Sequence, residues 1–262
     1  MARARVFRNS ATPMFSRLPD SWKATGRALL DLLYPLICPA CCAGLPKGAA
    51  AGDFCAACQE VMVPVEAPFC QICAEPFPGD IPGDFTCPNC LGRKQAFEFT
   101  VCRWLSRGPL RDAVHRFKYS RVRSVRLALA RLMEPALQDP RLAGEEWLLV
   151  PVPLHRRKQR QRTYNQSLEL ARCLARITDL KLCNALRRIR WTKSQAGLDR
   201  AGRLQNLRGA FAVKFLSRRR IAGRCILLVD DVLTTGSTAH ECALALQKAG
   251  AKRVAVLTAA RG

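Results

Sequence analysis

The chain has 262 residues, 43 Lys+Arg against 20 Asp+Glu, a formal net charge of +23 and 14 Cys. With 49% of residues apolar, disorder along the whole length is excluded. No run approaches the roughly eighteen uninterrupted apolar residues of a membrane-spanning helix, and the start (Arg3, Arg5, Arg8) lacks the apolar core and cleavage site of a secretory signal, so a cytoplasmic location is expected.

Charge and cysteine divide the chain in opposite ways. Residues 1–102 hold 9 basic and 9 acidic side chains, whereas residues 103–262 hold 34 and 11; ten cysteines lie within 38–102. This predicts an N-terminal extension (1–34) with one weak amphipathic helix over Trp22–Leu33, a cysteine-rich domain (35–95) and a basic domain (96–262).

Four Cys-x-x-Cys pairs punctuate the second segment: Cys38/Cys41, Cys55/Cys58, Cys70/Cys73 and Cys87/Cys90, with thirteen residues between the pairs of each unit. Such a turn lets two thiolates face one ion, and two turns complete the tetrahedral S4 site that zinc accepts. Two structural zinc ions are expected, one on Cys38, Cys41, Cys55 and Cys58, the other on Cys70, Cys73, Cys87 and Cys90. Cys42 is a spare for Cys41. A disulfide framework is the alternative, disfavoured by the missing signal and the short spacings; redox chemistry does not require four repeated pairs. The segment is poor in large aliphatics, so zinc would contribute folding energy on the order of 10 kcal/mol per site. Protein fills every position, so neither ion is set up for catalysis.

The basic domain alternates strands and helices. Phe97–Trp104 reads as a strand that includes Cys102. Gly108-Pro109 opens a helix with Leu110, Val114 and Phe117 inward, and a second helix is predicted over Val122–Leu137. Trp147–Val150 is a short buried strand, followed by the basic loop 155–162 and a helix from Tyr164 to Ile177. The stretch 187–220 resists assignment. Ile226–Val229 reads as a strand buried on both faces, ending at Asp230 and Asp231. Thr234-Thr235-Gly236-Ser237-Thr238 precedes a helix with Cys242 and Leu246 inward and Gly250 as its cap, and Val254–Leu257 is the next strand. The alternation implies a parallel sheet flanked by helices. His115 and His240 read as ordinary polar positions, Trp104, Trp147 and Trp191 as core or partly buried residues, and Cys173, Cys183, Cys225 and Cys242 as small core residues.

A hydroxyl-rich loop at a helix N-terminus is an anion site suited to phosphate, and Gly236 lets the backbone approach the ligand. Paired carboxylates at the strand end accept hydrogen bonds from vicinal hydroxyls or hold hydrated magnesium. Phosphate and diol at this separation describe a ribose 5-phosphate. The P-loop pattern for nucleoside triphosphates is absent.

At this point the sequence resembles a known family. ILLVDDVLTTGST (226–238) is similar to the phosphoribosyl diphosphate (PRPP) motif of type I phosphoribosyltransferases. With residues 150–171, 194–211 and 115–120, and with the cysteine pairs, the chain resembles the competence protein F family, also described as amidophosphoribosyltransferase-like, over about residues 38–262. The resemblance implies a type I phosphoribosyltransferase-like α/β fold behind a double zinc ribbon. It implies PRPP bound with magnesium by Asp230, Asp231, Thr234, Thr235, Gly236, Ser237 and Thr238, with Asp230 and Asp231 the candidates for catalysis. His155, Arg156, Arg157, Lys158, Arg162 and Asn165 would form the pyrophosphate loop, and a lid would carry Gln195 and Arg203. Two departures stand out. The family usually reads Arg-Gly-Phe-Asn-Gln where this chain has Arg162-Thr163-Tyr164-Asn165-Gln166, and Thr234 stands where purine-base transferases carry an acidic general base.

Two functions follow from these patterns. One is magnesium-dependent phosphoribosyl transfer to an acceptor that the residues do not name. The other is a single-stranded nucleic-acid-handling protein on the same scaffold, since the resemblance implies a role in DNA uptake. Residues 156–224 carry 20 basic and 3 acidic side chains, more cations than one PRPP requires. A third reading makes the zinc segment a docking platform for a partner of the competence machinery.

Overall fold

A computed structural model describes residues 35–81, 83–119, 123–155, 159–160, 164–190 and 200–262. The N-terminal extension with its Trp22–Leu33 helix, and Trp191, lie outside the described residues.

The apolar runs become a four-stranded, all-parallel sheet in the order β1–β6–β5–β2, where β1 is Thr100–Val101, β2 Trp147–Pro151, β5 Cys225–Leu233 and β6 Arg253–Arg261. Val150 pairs with Leu228 and Leu228 with Val256. Because side chains alternate across a strand, the sheet splits its residues by parity. Leu149, Leu227, Val229, Ala255 and Leu257 enter one core, and Leu148, Val150, Ile226, Leu228 and Val256 the other. Both faces are covered, which is why these strands are continuous aliphatic runs.

Three helices cover the first face: α2 (Gly108–Tyr119), α3 (Arg123–Met133) and α4 (Gln166–Ile177). On the second face lie α7 (Ser237–Gln247) and the antiparallel pair of β3 (Leu186–Arg188) and β4 (Phe211–Val213). The remaining helices are α1 (Ala56–Glu60), α5 (Arg200–Leu207) and α6 (Arg218–Ile221). The stretch 187–220 is therefore a hairpin interrupted by α5, its short strands too basic to show an apolar period.

Several boundaries differ from the sequence expectation, among them the last strand, which extends from Val254–Leu257 to Arg253–Arg261. The Phe97–Trp104 run narrows to Thr100–Val101, because Trp104 and Leu105 bridge instead to Pro64 and Arg261. The helix expected to reach Leu137 gives way to a 3-10 turn at Glu134–Gln138, where Pro135 removes an α-helical donor. The strand expected to stop at the carboxylates runs through them to Leu233, with Asp230 opposite Thr258.

The cysteine units join both cores. Cys38, Phe54, Cys58 and Met62 pack with Leu110 and Phe117 on one face, and Cys70, Cys73, Cys87 and Cys90 pack with Cys242 and Leu246 on the other. Leu227, 0% exposed at the centre of the sheet, tests this shared packing. Leu227→Ala is expected to cost about 2–5 kcal/mol, read as a lower urea midpoint with zinc content unchanged.

Candidate functional site

The carboxyl end of β5 carries two adjacent carboxylates whose environments differ. Asp230 Oδ1 accepts from Ser167 Oγ, at the start of α4, at 2.9 Å and from the Asp231 N–H at 2.9 Å. Asp231 accepts from the Val232 N–H at 2.8 Å and pairs with Lys118 of α2, whose Nζ lies 3.1 Å from Oδ2. Burial, and then the charge of Asp231, push Asp230 up from the ordinary carboxylate value of 3.8 to about 7, against the pull of Ser167, the Asp231 N–H and Lys118. A carboxyl shifted this far by burial and a neighbouring charge makes the strand end a candidate functional site.

Next comes the turn Thr234–Gly236. Gly236 is left-handed, at φ 73°, and starts α7 without a side-chain cap. The orphan N–H groups of that first turn carry the positive end of the helix dipole. The hydroxyls of Thr235 and Ser237 lie 3.0 Å apart, and Ser237 is buried. A Cβ on Gly236 would sit 3.5 Å from the Phe97 ring, an ordinary contact, so the requirement for glycine here is the backbone conformation. Gly236→Ala is expected to lose about 1–2 kcal/mol, measured by denaturation, and to weaken inorganic phosphate binding by calorimetry.

The remaining site residues divide. Asn165 precedes α4, and its Nδ2 donates to the Val152 carbonyl at 3.0 Å, tying the helix start to the segment leaving β2. Its buried Oδ1 has no partner, nor has either end of the Gln166 amide, in a residue 2% exposed. Unpaired buried amides call for an explanation, and these two immediately precede Ser167, the residue that donates to Asp230. His155 is half-buried, its carbonyl accepting from the Gln159 N–H. Arg156, Arg157, Lys158, Arg162 and Gln195 lie outside the described residues. Arg203 falls on α5, and its side chain is likewise outside them.

The cysteines form two clusters, Cys38/Cys41/Cys55/Cys58 and Cys70/Cys73/Cys87/Cys90, each with its four sulfurs within 4.8 Å of one another. Zn–S bonds of about 2.3 Å set tetrahedral S···S distances near 3.8 Å; Cys41–Cys55 and Cys73–Cys87, at 3.6 Å each, are close to that. Cys42 is left out: it is exposed and takes a contact from Arg116. The ligand at this corner is therefore Cys41. Without an ion the crowded sulfurs cannot all ionise; four thiolates this close would need a dication. The Cys90 thiol and the Glu75 N–H hold Cys73 down at about 4, while burial and the Cys73 charge push Cys87 up to about 11.

Buried Arg261 links the second cluster to the end of β5, where the Thr234–Gly236 turn begins. Arg261, 6% exposed at the end of β6, donates to the Leu233 carbonyl at 2.9 Å. It also approaches Cys73 Sγ at 3.9 Å and pairs with Glu75. Phe97 packs in the core of the same cluster, its ring 3.5 Å from where a Cβ on Gly236 would stand. The Ala96 N–H donates to His240 Nδ1 at 3.1 Å, and Gln247 Nε2 to the Ala96 carbonyl at 2.7 Å. Sequence reasoning assigned no role to Lys118, Ser167, Phe97 or Arg261. Lys118 and Ser167 lie in segments that carried the family resemblance, whereas Phe97 and Arg261 give no local signal.

Comparison with known proteins fits this arrangement. A family model for the double zinc ribbon domain matches residues 29–91. Competence protein F of Haemophilus influenzae is 35% identical over 179 residues, 67% of this chain and 78% of the relative. The chain belongs to the competence protein F family. DNA utilization protein YhgH of Escherichia coli K12 is 33% identical over 174 residues, 65% of this chain and 75% of that protein. Among solved structures, the glutamine PRPP amidotransferase of B. subtilis, complexed with ADP and GMP, aligns with a TM-score of 0.38 at 18% identity, over 56% of this chain and 30% of that one. In this family member the sheet, its flanking helices and the two cysteine clusters form an α/β unit with zinc ribbons packed on both faces. No helix among the described residues is long and apolar enough to cross a membrane.

Proposed function

We propose that this protein binds PRPP or a closely related ribose 5-phosphate and transfers the phosphoribosyl group, with release of pyrophosphate, in the uptake or use of DNA. The observation that carries the reading is the Asp230–Asp231 pair. A carboxyl raised to about 7 stands beside an ion-paired one, both next to the uncapped start of α7.

In this reading the 5-phosphate accepts from the N–H groups and hydroxyls of Thr234–Thr238. Asp230 and Asp231 accept from the ribose 2- and 3-hydroxyls, and Ser167 and Lys118 hold the two carboxylates apart. Magnesium, entering with the diphosphate, would offset its charge beside these carboxylates. His155, Arg156, Arg157, Lys158 and Arg162 would stabilise the departing pyrophosphate electrostatically, with Gln195 and Arg203 closing over it. Thr234 supplies no general base, so the nucleophile must arrive activated or be intrinsically strong. Cysteine clusters held as thiolates for zinc suit a reducing, cytoplasmic compartment.

Calorimetry with magnesium and PRPP tests the pocket, and pyrophosphate release across candidate acceptors tests turnover. Micromolar binding is the expected result; no heat with PRPP would sink the reading.

The charge of residues 156–224 favours a second reading, in which single-stranded nucleic acid runs along the basic face. It predicts affinity that falls steeply with salt. Oligonucleotide binding insensitive to salt would remove it.

A further inference from the structure

Phe215 and Leu216 are 79% and 90% exposed, the two most exposed large apolar side chains among the described residues. They are neighbours on a 3-10 turn, Phe215–Ser217, that runs directly into α6. The turn is held at both ends. Val213 before it and Ile221 after it are buried, the Ser217 N–H donates to the Lys214 carbonyl at 2.9 Å, and Lys214 Nζ donates to the Asn184 carbonyl at 2.7 Å. The fold therefore presents this pair outward by construction.

Along the chain on either side of the pair the charge has one sign. Arg218, Arg219 and Arg220 occupy three consecutive exposed positions, so their side chains fan out at about 100° intervals around the helix. Arg218 lies over the Phe215 ring at 6.0 Å. Among the described residues of 180–190 and 200–224 there is no acidic side chain. The tip is also far from the site: α6 leads into the amino end of β5, whereas Asp230 and Asp231 lie toward its carboxyl end. At about 3.3 Å per residue, β5 separates the two by roughly 15–25 Å.

We propose that this tip docks the protein on an anionic lipid bilayer. Phe215 and Leu216 enter the boundary between headgroups and acyl chains, and Arg218–Arg220 bind lipid phosphates. Apolar side chains flanked by cations are what an interfacial anchor uses. Single-stranded nucleic acid fits less well, because bases stack on aromatic faces and the more exposed member of the pair, Leu216, has none. Docked this way, the carboxyl end of the sheet stays open to its ligand.

Co-sedimentation of the full zinc-loaded chain with vesicles tests the proposal, comparing phosphatidylcholine alone with phosphatidylcholine containing roughly 30% phosphatidylglycerol. Binding is expected only with the anionic lipid and should weaken with salt. Phe215→Ser with Leu216→Ser should weaken it about tenfold or more, and Arg218→Gln with Arg219→Gln and Arg220→Gln about a hundredfold. All five side chains are exposed, so zinc content and thermal midpoint should stay at wild-type values. Equal binding to neutral vesicles, or unchanged vesicle binding in the double Ser variant, overturns the proposal. So does a wild type that ignores vesicles while both variants lose affinity for an oligothymidylate, which would give the tip to nucleic acid.

Discussion

Asp230→Asn is expected to lose PRPP binding by about a hundredfold or more while making the protein more heat-stable at pH 8. The two effects share one cause. Burial and the Asp231 charge raise Asp230 from 3.8 to about 7, so the folded state holds its proton more tightly than the unfolded state does. The stability linked to that proton is complete below about pH 3.8, falls as pH rises and is gone above about pH 7. Asn cannot ionise, so the variant escapes this loss. Its Oδ1 can still accept from Ser167 and from the Asp231 N–H, so the local geometry survives. A gain of about 2–5 °C in thermal midpoint at pH 8 is expected, shrinking to nothing near pH 4.

The same sign governs ligand binding. A carboxylate that accepts ribose hydroxyls beside magnesium must be ionised, so affinity for magnesium–PRPP should rise as pH passes through about 7. Calorimetry in buffers of different ionisation enthalpy should then register proton release on binding. A variant that binds PRPP like the wild type would move the ribose away from Asp230. A variant with a lower midpoint at pH 8 would refute the strain assigned to it.

Removing zinc should have the largest effect on the fold. The two clusters fit two structural ions, each contributing on the order of 10 kcal/mol, more than a typical domain's net stability. Freshly purified protein should contain two zinc ions per chain by elemental analysis. A strong chelator should convert it to a state without cooperative unfolding, and PRPP binding should vanish with it. Zinc content near zero in folded protein would overturn the assignment.

Arg261→Met separates support of the site from the fold as a whole. It leaves the zinc ligands intact but removes the donor to the Leu233 carbonyl and the partner of Glu75. Glu75, the carboxylate left behind, is 43% exposed and the Leu233 carbonyl keeps the Gly262 N–H, so the loss in stability should be only about 1–2 kcal/mol. The variant should keep two zinc ions yet bind phosphate about tenfold more weakly, because the turn after Leu233 loses its brace. Phosphate affinity equal to wild type, with zinc retained, would show that the second ribbon does not support the turn.

Much of the site was legible because its signals are local. Cys-x-x-Cys spacing, an aliphatic run ending in Asp-Asp and a glycine before a helix each act through residues close in sequence. Legibility failed where elements were short and basic, as in β3 and β4, where two or three inward positions make no detectable period. It failed also at strand ends, since pairing with β6, and not composition, carries β5 on past Asp230 to Leu233.

The sequence by itself determined the two S4 sets, the parallel sheet and the turn that starts α7. Only the tertiary structure decided that Cys41 and not Cys42 completes the first cluster. It alone decided that the ribbons sit on opposite faces of one sheet, and that Lys118, Ser167 and Arg261 hold the site in place. Arg261 and Cys73 stand 188 positions apart. No propensity or spacing couples residues at that distance; they meet because alternation along the strands assigns each face its own partners, and burial then brings those partners together.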